Sequence, residues 1–433
     1  MSEEAVEAKV ALFQNAEAAL ATLRARERGS NSARAFWVPG RVEFLGKHTD
    51  YAGGRSLLCA IERGICIVAL PRSDRRLRIA DARIGEVVEG TVDPYVRATD
   101  GHWSTYPFTV ARRIARDFGE AESLVGADIA FASDLPAASG MSSSSALVVA
   151  TFLALADVNG LASRDLYQRV FPRTDVLAGY LGAVENGYAF EAFAGDTGVG
   201  TFGGSEDHTA ILCARPDALI QYSFCPVRFE RQVPLPKDHE LVLASCGVVA
   251  EKIGGAREAY NRLSRSTQEL AARWRETTGR GDATLGDALA SSPDGAARLL
   301  AMASDCDAEL RERLEQFVHE SAELIPGSGD ALLRGDLSAL GDLVDRSQAG
   351  AERLLKNQIE ETIRLVRDAR NMGATAASAF GAGFGGAVWA LVPSAEALPF
   401  KAQWSERYKE RFPSAAAKAS FFVTRAGPAA TRI

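Results

Sequence analysis

Residues 39–54 read PGRVEFLGKHTDYAGG, directly after the apolar run RAFWV (Arg34–Val38). The stretch sets an arginine, a lysine, a histidine and an aspartate between glycine turns. Glycine admits positive φ and a tight bend. Arginine brings a rigid fork of donors for phosphate oxygens, and aspartate brings acceptors for hydroxyls. A turn carrying both suits a molecule that has hydroxyls and gains a phosphate. The same composition also describes an ordinary polar surface turn, so two further motifs decide between the readings.

The first is Gly140-Met141-Ser142-Ser143-Ser144-Ser145, which stands before ALVVATFLALAD (Ala146–Asp157), a predicted helix almost without polar residues. A helix N-terminus presents unpaired N–H groups and partial positive charge, the makings of a phosphate site. Serine hydroxyls add donors or a ligand for Mg2+. One serine caps a helix; four in a row after a glycine exceed that need. No lysine follows at the P-loop spacing, and a GxSxG elbow is absent here. The second motif, Gly381-Ala382-Gly383-Phe384-Gly385-Gly386, matches GxGxxG literally. The dinucleotide fingerprint requires a strand before it and a helix after it. Here AVWALV follows and reads as a strand, so the loop is expected to pack against the phosphate loop or to form a plain tight turn.

The chain's 433 residues allow one large domain or two ordinary ones. Apolar residues make up 47% and charged residues 24%, a soluble globular composition. A net charge of −7 disfavours nucleic acid as a partner and asks for a local cationic pocket if the substrate is an anion. The six cysteines (Cys59, Cys66, Cys213, Cys225, Cys246, Cys306) form no CxxC pair, and the five histidines show no zinc spacing. Buried free thiols, an N-terminus without a signal peptide and the absence of a membrane-length apolar run predict a cytoplasmic protein.

Along the chain, the spacing of Val6, Val10, Phe13, Ala16 and Leu20 predicts a helix over 3–28. RAFWV, GICIVAL (Gly64–Leu70), LRIA and ADIAFA (Ala127–Ala132) read as strands. A further helix is expected around Leu177–Phe193. The glycine-rich loop Gly195–His208 then leads into an expected hairpin of TAILC and ALIQYSF. After ELVLAS (Glu240–Ser245), a helical stretch runs from Gly255 to Met372, with breaks expected at SSPDG and IPGSGD. AASAF, AVWALV and SFFVT close the chain as strands, with a helix at Ala395–Phe412 between the last two. Strands followed by helices, twice, imply two α+β domains, drawn here at 1–230 and 231–433.

GRVEFLGKHTDYAGG, PAASGMSSSSA and GAGFGGAVWAL, in this order, resemble the sugar-binding signature, phosphate loop and C-terminal glycine motif of the GHMP small-molecule kinase superfamily, in its galactokinase branch. EDHTAIL resembles the segment carrying that family's catalytic aspartate. The likeness runs from about Arg34 to Val392. It implies an N-terminal domain similar to the second domain of ribosomal protein S5, a ferredoxin-like C-terminal domain, and a cleft between them for ATP, Mg2+ and a sugar. By resemblance, Arg41 and Asp207 are catalytic, Asp207 as base for the anomeric hydroxyl. Lys47, His48, Asp50 and Tyr260 face the sugar. Trp103, the loop Gly140–Ser145 (Gly140, Met141, Ser142, Ser143, Ser144, Ser145), Gly383 and Gly385 serve ATP, and Ser144 and Glu185 hold Mg2+. The preference for Asp207 over Glu206 comes from the resemblance alone; both end the glycine loop and are expected to enter a strand.

Two departures concern the sugar. Galactokinases carry glutamate where this chain has Lys47, so an acceptor becomes a donor of opposite charge. Lys47 either reads the far end of the sugar or turns away to pair with Glu43 or Asp50. In EKIGGAREAYNRL (Glu251–Leu263), Tyr260 falls several residues late for the family's sugar-touching tyrosine. It reaches the pocket or lies on a helix surface. The expected activity is phosphorylation of an aldose at its anomeric hydroxyl, galactose first. A kinase for another sugar such as a uronic acid, and a galactokinase-like ATP and sugar sensor without turnover, are the alternatives.

Overall fold

The opening motif straddles a β-turn-β unit. β1 (Arg34–Leu45) runs antiparallel to β2 (Arg55–Pro71), and the turn between them holds Lys47 through Gly54. The structure is a computed structural model that describes residues 3–24, 32–99, 101–119, 124–136, 140–248 and 255–433. β2 is long enough to take two partners on its other edge. β5 (Ala127–Ser133) pairs along Ile65–Pro71, and β6 (Ala218–Ser223) along Arg55–Leu58. β3 (Arg76–Asp81) lies parallel to β5 and antiparallel to β4 (Glu86–Thr91), β7 (Arg228–Pro234) forms a hairpin with β6, and β12 (Thr431–Arg432) returns to pair with β1.

Side chains alternate across a strand, and both faces of this sheet are apolar because both are covered. Val68, Ala80, Ala130 and Ala132 meet helix α1 (Glu3–Leu23). Ile65, Ile67, Ile79, Ile129 and Phe131 share the main core with α2 (Thr105–Phe118) and α3 (Ser143–Val158). α4 (Asp165–Val170), α5 (Thr174–Asn186) and α6 (Glu206–Cys213) complete this half.

In the second half, β8 (His239–Ser245), β9 (Ala376–Phe380), β10 (Ala387–Pro393) and β11 (Ser420–Thr424) form an antiparallel sheet in the order β11-β8-β10-β9. Helix 360–371 precedes β9 and helix 397–411 separates β10 from β11, which gives the β-α-β-β-α-β order of a ferredoxin-like domain. Val242, Ala244, Val388 and Ala390 face those two helices. Leu241, Leu243, Trp389 and Leu391 face the other way, into the main core. Trp389 stacks on Phe44 of β1 with centroids 3.9 Å apart, so the two halves share packing beside the turn. α7 (Gly255–Thr278) and shorter helices up to residue 355 are inserted between β8 and helix 360–371. The architecture is the α+β, two-domain arrangement expected.

Several local expectations are corrected. TAILC is helical: EDHTAILC forms α6, and the hairpin is β6–β7. Glu206 and Asp207 therefore open a helix, where the N-terminal partial charge favours carboxylates. IPGSGD does not break the helical stretch. The wider π-helical turn 320–324 runs straight into helix 325–334, and Pro326 stands at that junction. Gly329 of the same segment is there for contact, since a Cβ on it would stand 2.6 Å from Nη2 of Arg231, which donates to the Pro326 carbonyl. SSPDG does separate two helices. On α1, Ala16 and Leu20 are buried but Val6 and Val10 are exposed; the expected residues 25–28 lie outside the described set. Cys225 is exposed rather than buried.

Candidate active site

Three segments meet at one cavity of about 650 Å3. The β1–β2 turn supplies its floor. The serine loop and the start of α3 form one wall, and the β9–β10 loop, GAGFGG, forms the other. Since β9 and β10 are antiparallel neighbours, that loop is a hairpin connection and not a strand-to-helix dinucleotide turn. It packs directly on the serine loop: a Cβ on Gly381 (φ +80°) would lie 3.0 Å from the carbonyl oxygen of Gly140. Gly140, Ser142, Gly383 and Gly385 line the cavity, and Ser143 to Ser145 begin the helix there. Ser142, the residue before the helix, has φ 56° and makes no capping bond. Its hydroxyl is buried and without a partner among the described residues. Ser142 thus leaves the start of α3, at the cavity, without a side-chain cap of its own. Ala137 to Ser139 lie outside the described residues.

One end of the cavity is largely apolar and aromatic, lined by Ile65, Trp103, Tyr106, Phe131 and Leu135, with Asp81, Arg83 and Ser133 among them. Glu86 fixes that wall by accepting from the Trp103 indole at 2.9 Å while standing 2.8 Å from His102 Nε2. At the other end Arg41 is 4% exposed. Its Nε donates to Asp207 Oδ1 at 2.7 Å and its Nη1 to the Gly140 carbonyl at 2.5 Å. Ser145 Oγ donates to Asp207 Oδ2 at 3.3 Å. One guanidinium therefore ties the first turn of α6 to the serine loop.

Asp50 and His48 line this end, but both are already engaged. Asp50 Oδ2 accepts the Glu206 amide at 3.1 Å, and burial pushes its carboxyl up to about 6. His48 Nε2 lies 3.0 Å from the Ala382 carbonyl, which can only accept, so Nε2 carries the proton and Nδ1 accepts from Tyr51 at 2.8 Å. Burial, with Arg313 nearby, lowers the imidazole to about 3. Tyr260 sits on α7 and lines the cavity, its ring 5.2 Å from that of His48. The next residue, Asn261, accepts the Phe202 amide at 3.0 Å and so docks α7 on the glycine-rich loop. Residues 251–254 of the same segment lie outside the described set.

Two expected residues do not reach the cavity. Met141 is core, 1% exposed. Lys47 turns away, 1% exposed, and its ammonium donates to Ser378 Oγ at 2.8 Å and Ser347 Oγ at 3.3 Å. Ser347 donates onward to Glu320 at 2.9 Å. Lys47 also lies in the field of Glu43. It is a buried cation between the halves, and it does not line the cavity.

For a divalent cation, Ser144 and Glu185 both line the cavity. A hydroxyl and a carboxylate are the hard oxygen donors Mg2+ takes when phosphates and water complete its shell, so the residues fit the ion. Glu185 Oε2 stands 2.9 Å from Nε2 of His208, a buried neighbour the sequence reading did not single out. Tyr51 and Asn186, which also line the cavity, were not singled out either; Glu43 was weighed only as a partner for Lys47, and Glu206 only beside Asp207. Asn186 accepts the Gly203 amide at 2.7 Å and donates to Gly204, fixing the loop before Asp207. Arg313, from helix 308–319, donates to the His48 carbonyl at 2.5 Å and holds the turn from the other half.

A largely apolar, aromatic end, a helix N-terminus beside it and an arginine–aspartate pair beyond define a small-molecule kinase. Comparison with known proteins agrees. The galactokinase galactose-binding signature matches residues 26–71, the GHMP kinases N terminal domain residues 105–181 and the GHMP kinases C terminal domain residues 330–410. The galactokinase of Roseiflexus sp. (strain RS-1) is 28% identical over 397 residues, 92% of each chain. The crystal structure of Lactococcus lactis galactokinase complexed with galactose superposes with a TM-score of 0.77 at 23% identity, covering 96% of this chain and 100% of that one. Methanococcus jannaschii mevalonate kinase follows at a TM-score of 0.54 and 15% identity, over 93% and 100%. The chain belongs to the GHMP kinases, in their galactokinase-like branch.

Proposed function

We propose that this protein transfers the γ-phosphoryl group of ATP to the anomeric hydroxyl of an aldose, galactose first. The observation that carries the reading is the Arg41–Asp207 pair beside the serine helix, in a cavity whose other end suits a nucleoside. A sugar hydroxyl is a poor nucleophile. Asp207 orients it and accepts its proton, and Arg41 offsets the charge that develops, the usual division of labour in phosphoryl transfer. Trp103 flanks the base. Gly140, the hydroxyls and amides of Ser142 to Ser145, and the loop around Gly383 and Gly385 hold the phosphates. Ser144 and Glu185 hold Mg2+, which when bound neutralises phosphate charge. Asp50 and Tyr260 line the sugar end, and His48 braces it. In this reading residues 1–230 form the sugar- and phosphate-binding domain and residues 231–433 the second domain. Free thiols suit a reducing compartment such as the cytoplasm. Among the described residues no helix is long and apolar enough to cross a membrane.

The uronate alternative rested on Lys47, whose ammonium lies outside the cavity. The test is ADP release over a panel of aldoses and uronates. Galactose should be turned over, and Asp207→Asn should lower kcat by about a hundredfold while ATP still binds. Near-normal turnover in that variant removes Asp207 from the mechanism. ATP and sugar binding without ADP release in the parent would make the protein a sensor.

A further inference from the structure

The turn between β1 and β2 brings His48 and Asp50 to the cavity in a backbone shape that needs outside support. Gly46 has φ +130° and His48 has φ 58°. A residue with a Cβ keeps a positive φ only where its surroundings fix it. Lys47, His48, Thr49 and Asp50 are all buried, so the backbone groups here need partners inside the protein. Some lie within the turn. The Thr49 amide and hydroxyl donate to the Gly46 carbonyl at 3.2 and 2.8 Å, and the Gly54 amide donates to the Thr49 carbonyl at 2.9 Å. Three more are met from outside. The Gly46 amide donates to Glu320 Oε1 at 3.1 Å, the Lys47 carbonyl accepts from Gln316 Nε2 at 3.1 Å, and the His48 carbonyl accepts from Arg313 Nη2 at 2.5 Å.

These partners stand 274, 269 and 265 positions along the chain, yet they share one surface. Residues 313, 316 and 320 are spaced i, i+3 and i+7, one face of helix 308–319 and the residue that follows it. The same face closes on the end of the turn. A Cβ on Gly54 would stand 2.4 Å from Ser321 Oγ and 2.7 Å from Phe317 Cε2, and Arg55 Nη1 donates to the Ser321 carbonyl at 3.0 Å. Arg313 is buried and has no acid partner among the described residues. Its other donors reach Gln316 Oε1 at 2.6 Å and the Tyr51 hydroxyl at 3.5 Å, and its Nε has no partner. Buried charges are ordinarily paired, so an apolar side chain would pack this helix with less loss of hydration. The guanidinium instead serves a carbonyl of the turn. None of the three residues lines the cavity.

We propose that Arg313, Gln316 and Glu320 are positioning residues for the sugar: they set the backbone of the turn, and with it the places of His48 and Asp50, without touching substrate. The sugar role rests on the kinase reading; the setting of the turn does not. Glu320 also accepts from Ser347, so the variants fall on the other two. Gln316→Leu removes both of its bonds. Arg313→Met removes the cation, and Arg313→Lys gives the His48 carbonyl a donor again. The readouts are galactose KM and kcat, ATP affinity by calorimetry without sugar, and amide hydrogen exchange over residues 46–55 compared with α3.

In Gln316→Leu and Arg313→Met, residues 46–55 should exchange about tenfold faster while α3 exchanges as in the parent, since one buried carbonyl is left unpaired there. Galactose KM should rise by about tenfold on the same ground, with ATP affinity unchanged. Arg313→Lys should fall between Arg313→Met and the parent in both readouts. Unchanged exchange over 46–55 in the folded variants overturns the setting of the turn. Faster exchange there with galactose kinetics like the parent's overturns the positioning role. Parallel losses of sugar and ATP affinity, with α3 loosened as well, mark a general loss of structure and overturn both. If the two stronger variants do not fold, Arg313→Lys decides: the turn must exchange faster and galactose KM must rise while ATP affinity holds, or the proposal fails. A parent that phosphorylates no sugar removes the kinase reading and the sugar role together, and the exchange over 46–55 still decides whether this helix sets the turn.

Discussion

Lys47 tests whether its charge serves the fold or the sugar. Its ammonium is enclosed by Ser378 and Ser347, with Glu320 one hydrogen bond further on and Glu43 within its field. Lys47→Met keeps the length of the stem and removes the cation. The serines lose a donor, and Glu43 and Glu320 lose the nearest compensating charge on that side. Removing one partner of a buried charged network costs about 3–5 kcal/mol, a large part of the roughly 5–15 kcal/mol that holds a domain together. Taking about 3 kcal/mol and a guanidinium slope of about 2–6 kcal/mol/M, the unfolding midpoint should drop by roughly 0.5–1.5 M. The assay is equilibrium unfolding followed by tryptophan fluorescence, paired with kcat/KM for galactose and galacturonate on the folded variant. The ratio between the two sugars should stay within about threefold of the parent's, because about 1.4 kcal/mol of differential contact is needed for tenfold. An unchanged midpoint with a shifted sugar ratio would refute the reasoning and return Lys47 to the pocket.

Two further outcomes follow from the same geometry. Gly381→Ala places a Cβ 3.0 Å from the Gly140 carbonyl at φ +80°; it should cost about 1–2 kcal/mol and weaken ATP binding by forcing the two loops apart, and unchanged nucleotide affinity by calorimetry would show that their contact does not shape the site. His48 is held neutral by burial, its folded value of about 3 lying below the ordinary 6.5; its contribution is complete above 6.5 and is lost as pH falls toward 3. His48→Gln should therefore flatten the acid side of the melting profile, and an identical acid slope in parent and variant would count against a buried neutral imidazole.

Much of the site was legible in the sequence because its parts are local. The glycine–serine loop opens an apolar helix within ten residues of itself, and a strand after GAGFGG was enough to set aside a dinucleotide site. Misreadings arose where short apolar runs fit two periods. TAILC alternates well enough for a strand, and only its packing against α5 and β1 makes it a helix. IPGSGD carries the residues of a break, yet its glycine serves a contact with Arg231, 98 positions away. Glu206 stood beside the chosen aspartate, but nothing local marks it as the acceptor for Ser56.

By itself the sequence determined the turn, the phosphate loop, the order of the motifs and the two α+β units, since these follow from residue type and spacing over a few turns or strands. Only the tertiary structure decided which side chains share a space. Lys47 meets residues 300 and 331 positions away, Arg41 meets Asp207 across 166, and Ser56 meets Glu206 across 150. The charge state and direction of a buried group depend on everything packed around it. A local pattern can nominate such a group, but it cannot say whether it faces the cavity or a serine pair in the other half of the molecule.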